Sequence, residues 1–234
     1  MAPSVKTQIA VAPDGRRVTV SCRAERLQEE WFWHARLTSK AFAISVAVGR
    51  PQYAADSVAA GGYQLRERVS YGTHPLTVSV SPEGEGYLVT WESTHHSLVF
   101  GGPGQAPRLR DIITLLDELR PQDGVDGLRL RPAPGSETVM WGLFGVKFTD
   151  AGMVSFYPRQ EATGLVPDQP GLSVPAGDLW RKTIGSPDGS AGQSKYILAN
   201  DSSVAVLDDD FGRAATITQA AQEALLSSLS VKWS

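Results

Sequence analysis

Apolar and polar residues alternate with a period of two through most of the first hundred positions, the spacing that a half-buried β-strand imposes. "KTQIAVAPDGRRVTVSCRA" holds two such runs around Pro13-Asp14-Gly15. Proline presets φ there, and Asp and Gly tolerate turn dihedrals, so a hairpin is expected. The runs "EWFWHARLT", "AFAISVAVG", "YQLRERVSY", "PLTVSVSPEGEGYLVTWES" and "HSLVFGG" follow, each rich in β-branched or aromatic residues and bounded by turn formers. Short connections between them predict a meander of antiparallel neighbours.

Near residue 105 the period lengthens. "APRLRDIITLLDELRP" sets Leu109, Ile112, Ile113, Leu116 and Leu119 on one helical face between Pro107 and Pro121, which predicts a helix over 107–120 whose apolar stripe covers the preceding sheet. "QDGVDGLRLRPAPGSE" reads as loop, short strand and loop. Strands return in "TVMWGLFGVKFTDAGMVSFYPR", turning at Asp150-Ala151-Gly152. Residues 158–194 read as Pro- and Gly-rich loops around a short "DLWRKTIG" element, and "KYILAND" and "SSVAVLDDD" pair through Asn200-Asp201. A second helix is expected over 216–230. Thr216 and Gln219 form a capping-box pattern, and Ile217, Ala221, Ala224, Leu225 and Leu229 share a face. The expected class is α+β: a predominantly antiparallel sheet, curved or barrel-like in its first half, packed with two helices. The chain divides at the change of period into a β-rich part, 1–104, and a mixed part, 105–234, or forms one single domain.

Composition narrows the function classes. With 234 residues, 41% of them apolar, the chain can bury a substantial core. Its 22 Lys and Arg against 25 Asp and Glu leave a net charge of -3. The basic pieces, Arg16-Arg17, Arg66/Arg68 and Arg129/Arg131, are short, so no cationic face for nucleic acid is implied. A lone Cys22 cannot close a disulfide within the chain and is read as a small buried side chain, which makes the cytoplasm the default location. "MAPSVKTQIAV" lacks the charged and apolar regions of a signal peptide, and no apolar run reaches membrane-spanning length, so no membrane association is expected.

Candidate chemistry centres on "VTWESTHHSLVFGGPG", residues 89–104. His95 and His96 are adjacent, so they lie in a turn or point to opposite faces; neither arrangement offers the H-x-H spacing that a strand presents to a metal. No metal and no cofactor are expected. A general base at His95 or His96, oriented by Glu92, is the catalytic candidate. "GGPGQAP" and "GSAGQSKY" lack the glycine and lysine pattern of phosphate loops, and "DDDFG" lacks every other kinase motif. Aromatic residues supply the ligand candidates. Alternation puts Trp31 and Trp33 on one strand face and His34 on the other, and with Trp91 these could line a pocket or fill the core. The leading expectation is a non-catalytic binding or interaction protein whose partner is another protein or a small apolar molecule. The alternative is a cofactor-independent enzyme of the cyclase or isomerase type, which needs only orientation and one acid or base.

Overall fold

The computed structural model describes residues 5–23, 27, 30–40, 42–149, 151–184, 193–208 and 218–234. In chain order the first elements are β1 (Val5–Val11), β2 (Arg17–Arg23), β3 (Phe32–Thr38), β4 (Ala43–Gly49), α1 (Gln52–Ala60), β5 (Gln64–Tyr71), β6 (His74–Val80), β7 (Gly86–Glu92), β8 (Ser97–Pro103), α2 (Leu109–Leu119), β9 (Pro121–Gly124) and β10 (Gly127–Leu130). They are followed by β11 (Val139–Thr149), β12 (Gly152–Pro158), β13 (Leu172–Val174), β14 (Gly177–Ile184), β15 (Gln193–Ala199), β16 (Ser203–Asp208), α3 (Gln219–Leu226) and β17 (Ser230–Trp233). The class is α+β and predominantly antiparallel. Contacts divide the chain into two units that are each discontinuous in sequence: residues 11–16 with 31–143, and residues 1–10 with 17–30 and 144–234.

In the first unit the strands run in the order β3-β4-β8-β7-β6-β5, every neighbour antiparallel, and the sheet ends open at β5. The register draws one line of side chains across it: Trp33 opposite Val48, Val48 opposite Leu98, Leu98 opposite Trp91 and Trp91 opposite Leu76. All five are at most 5% exposed. A second line joins Ala35, Val46, Phe100, Val89 and Val78. This is the core face. The stripe of α2 has Ile112, Leu116 and Leu119 buried, as the period of "RDIITLLDEL" predicts. Arg120 ends that helix in the left-handed region, at φ 46, immediately before Pro121.

The opposite face carries α1, a third helix that the hydrophobic pattern does not announce. "QYAADSVAA" buries only Ala54, so its apolar stripe is too thin to stand out. Its ends are nevertheless punctuated, by Pro51 before and by Gly61 and Gly62 after, the latter at φ 63. Tyr53 of α1 lies over Gly49, where an added Cβ would meet the ring at 2.6 Å, and beside Phe32, with ring centroids 5.2 Å apart. The stretch read as loop, strand and loop is a hairpin of β9 and β10. The turn segment 11–16 joins it through Val11 N–H to Asp126 and Leu130 N–H to Pro13. Gly127 at φ 154 is required there, because a Cβ would sit 2.1 Å from the Val11 carbonyl oxygen.

The second unit orders its strands β13-β14-β15-β16-β12, with the Gly145–Thr149 part of β11 paired to β12, alongside a three-stranded sheet β1-β2-β17. Lys147 is fully buried and its ammonium donates to the Glu30 carbonyl at 2.9 Å. The Asn200-Asp201 turn joins β15 to β16 as its residues predict. The Asn200 amide oxygen accepts from the backbone and hydroxyls of both Ser202 and Ser203, and its Nδ2 donates to the Val231 carbonyl at 3.0 Å.

The C-terminal helix is shorter than the expected 216–230. It ends at Leu226, and Val231 and Trp233 alternate into the core from β17, paired with Val20 and Val18 of β2. Leu229 is buried, but from the connection rather than from the helical face. A strand edge at β2 captures a segment whose short apolar period fits either structure. Thr216 and Ile217 lie outside the described residues, as do Asp150, the first four residues of "GSAGQSKY" and all but the first residue of "DDDFG". The described N-cap of α3 is Thr218, whose side chain accepts from Ala221 N–H.

Candidate functional site

Two pockets and one polar cluster, all in the first unit, are built from these elements. The first pocket opens on the core face where α2 stops short of covering β4, β7 and β8. It encloses about 590 Å³, inside the range of small-molecule sites. Ile44, Tyr87 and Phe100 reach into it from the sheet, and Ile112 and Leu115 from α2. Asp111 and Glu118 add two carboxylates to the lining. Glu118 accepts from Ser136 at 2.7 Å and from Thr138. Those two hydrogen bonds hold its carboxyl below the usual glutamate range, so it is anionic at neutral pH.

The second pocket, about 510 Å³, lies on the opposite face under α1 and Tyr63. The register sets Ser45, Gly101 and Leu88 abreast on its floor, with Gly86 beside Pro103. His34, opposite Ala47, supplies an imidazole. Burial pushes that imidazole below the usual histidine range, which leaves it neutral at pH 7. Burial likewise raises the Tyr53 phenol.

The polar cluster gathers at the β7–β8 turn, the "STHH" of the sequence. Ser93 N–H donates to the His96 carbonyl and closes the turn. His96 Nδ1 then meets Asp123 Oδ1 at 2.8 Å, while the backbone N–H of His95 donates to Oδ2 of the same carboxylate at 2.7 Å. Burial pushes the Asp123 carboxyl up. The His95 amide, His96 and Ser93 together outweigh it and hold the group below the usual aspartate range. Ser93 also lies 3.3 Å from His74 Nε2, and His74 packs edge-on against Trp91 at 5.5 Å. The Trp91 indole N–H points to the Tyr71 carbonyl at 3.4 Å. The Tyr71 phenol is pushed up to about 12, by burial and then by the Asp117 carboxylate to which it donates. This is a pinned turn with an oriented imidazole, and neither described pocket opens onto it.

The residues singled out from sequence are therefore dispersed. His95 and His96 share Asp123 but use different groups, one its backbone and one its ring. Glu92 makes no hydrogen bond to either among the described residues. Trp33 and Trp91 are in the core line, 1% and 5% exposed, and Trp31 stacks on Trp33 with centroids 5.3 Å apart and planes 4° from parallel. The three tryptophans line neither pocket, whereas His34 lines the second. Asp123 escaped the sequence reading because "PQDGVDG" looks like any loop, and nothing in its spacing links it to a turn 27 residues earlier. Among the described residues no three His, Cys, Asp or Glu side chains converge as a metal site requires. No helix among them is long and apolar enough to cross a membrane. No known protein family, curated protein or solved structure matches the chain.

Proposed function

We propose that this protein is a non-catalytic binder of a small apolar molecule, held in the pocket between α2 and the β4, β7 and β8 face. The observation that carries the reading is an apolar recess left open on a face that is otherwise closely packed: Ile44, Tyr87, Phe100 and Leu115 surround space rather than one another. An aliphatic or aromatic body of drug-like size gains roughly 25 cal/mol for each Å² of apolar surface it removes from water there. The carboxylates of Asp111 and Glu118 make the lining acidic, so the polar end of the ligand is uncharged or cationic.

Nile red, an uncharged apolar dye, tests this. Its emission should rise and shift to the blue in the presence of the protein, saturably, and Leu115→Trp should abolish the change by filling the recess while the melting temperature stays within a few degrees. An unaltered response in Leu115→Trp, or no response in the parent protein, would sink the proposal.

A further inference from the structure

The pocket under α1 differs in chemistry from the apolar recess, and the proposed function does not use it. Its floor sets the Leu88 side chain beside bare backbone at Gly86 and Gly101. At Gly101 this is obligatory, because a Cβ would lie 2.3 Å from the Tyr87 carbonyl oxygen and 3.2 Å from the Leu88 side chain. At Gly86 it is not forced by crowding: the nearest atoms to an added Cβ are the Gly102 carbonyl oxygen at 3.5 Å and the Tyr63 hydroxyl at 3.6 Å, ordinary contact distances. Ser45, abreast of Gly101, adds only a hydroxyl. The two glycines and Ser45 leave a shallow recess bordered by the Leu88 side chain, and a planar ring can lie in it against backbone that larger side chains would cover.

The groups around that floor select the ligand's charge. His34 adds a neutral imidazole to the wall, and the Ser45 and Tyr63 hydroxyls can each give or take a hydrogen bond. Among the described lining residues Glu85 is the one carboxylate, and there is no Lys or Arg. An anion placed here would meet that carboxylate with no cation among the described lining residues to offset it. A ring bearing an O–H or N–H offers Glu85 a donor and can be satisfied on its other edge by the Ser45 or Tyr63 hydroxyl. A volume of about 510 Å³ admits one or two fused rings.

We propose that the α1-side pocket of the first unit, floored by Gly86, Leu88, Gly101 and Ser45 and walled by His34, Tyr63 and Glu85, is a second ligand site that takes a flat ring, uncharged or cationic, carrying at least one hydrogen-bond donor.

Ligand-observed fluorine NMR on the full chain tests the assignment with three probes of one size. Para-fluorophenol and para-fluorobenzylammonium should show saturable line broadening, and para-fluorobenzoate none. Gly86→Val fills the floor with a residue that suits a strand and should weaken para-fluorophenol at least about tenfold. The Nile red response should persist in that variant, because the other recess is untouched. Should Gly86→Val unfold, Ser45→Leu blocks the same floor from the neighbouring strand and is held to the same tenfold loss. Equal phenol binding in a folded plugged variant overturns the site. Absence of phenol binding in the parent protein overturns it too, and benzoate binding as tightly as phenol, or benzylammonium showing no binding, overturns the assigned charge. Failure of the Nile red test with success here would remove only the apolar-recess reading.

Discussion

Two adjacent histidines that share one carboxylate should respond very differently to the same substitution. His96 holds Asp123 through its ring, with Nδ1 at 2.8 Å and side chains only 18% and 8% exposed. His95 holds it through a backbone N–H that alanine retains. His96→Ala therefore deletes a hydrogen bond to an ionised and largely buried acceptor, a loss of about 1.5–3 kcal/mol. Asp123 keeps the His95 amide and Ser93, which limits the damage to that range. His95→Ala leaves the hydrogen bond in place and should cost less than about 0.5 kcal/mol, as most exposed substitutions do. Urea unfolding at neutral pH, followed by tryptophan emission, measures the difference as a shift in midpoint at unchanged slope. Lowering the pH adds a second check. Because the folded state depresses the Asp123 pKa, its stabilisation is full above the unfolded value of about 3.9 and is lost as the pH falls through the lower folded value. The deficit of His96→Ala should shrink over that window. Equal costs for the two alanine variants, or a larger cost for His95→Ala, would refute the pinned-turn reading. A His96→Ala protein of unchanged stability that had lost a measurable turnover would instead make the turn a catalytic site.

Three further outcomes follow from the packing. Trp91→Ala should cost about 3–5 kcal/mol in the same unfolding assay, since it empties the core line between Leu98 and Leu76 and frees the Tyr71 carbonyl; a cost below about 1 kcal/mol would contradict its burial. Asn200→Ala should cost roughly 2–4 kcal/mol and raise amide exchange in β17, because it removes the hydrogen bonds that order the β15–β16 turn and one of the two from that turn to the Val231 carbonyl, the Ser203 hydroxyl making the other; normal protection of β17 in the variant would show that the Asn200 bond is dispensable. His34→Gln should flatten part of the acid side of the stability curve. The folded state depresses the His34 pKa, so the parent loses stability as the pH falls below about 6.5 while the unfolded chain takes up its proton; identical slopes for parent and variant between roughly pH 6.5 and 5 would count against a buried neutral imidazole.

What the sequence determined by itself is local. Alternation in "VTVSCR", "FWHARLT" and "YLVTWE" commits each run to a strand with a fixed inner set, because a slip of one residue would turn Trp33 or Trp91 to the other face. The stripe of "RDIITLLDEL" commits it to a helix, and Pro13-Asp14-Gly15 and Asn200-Asp201 commit the chain to turns. Decisions that depended on a partner distant in the chain were not legible. "SVKW" became a strand because the edge of β2 offered it hydrogen bonds, and "QYAADSVAA" became a helix whose Tyr53 lies over Gly49. Asp123 acquired its role only when the β9–β10 hairpin came to rest against the turn of His95 and His96. The tryptophans drew attention by their size, yet size is what a core uses first. The pockets formed instead where small or modest side chains, Gly86, Gly101, Ser45 and Leu115, left space, and a linear sequence does not record space because it is bounded by residues brought together from opposite ends of a unit.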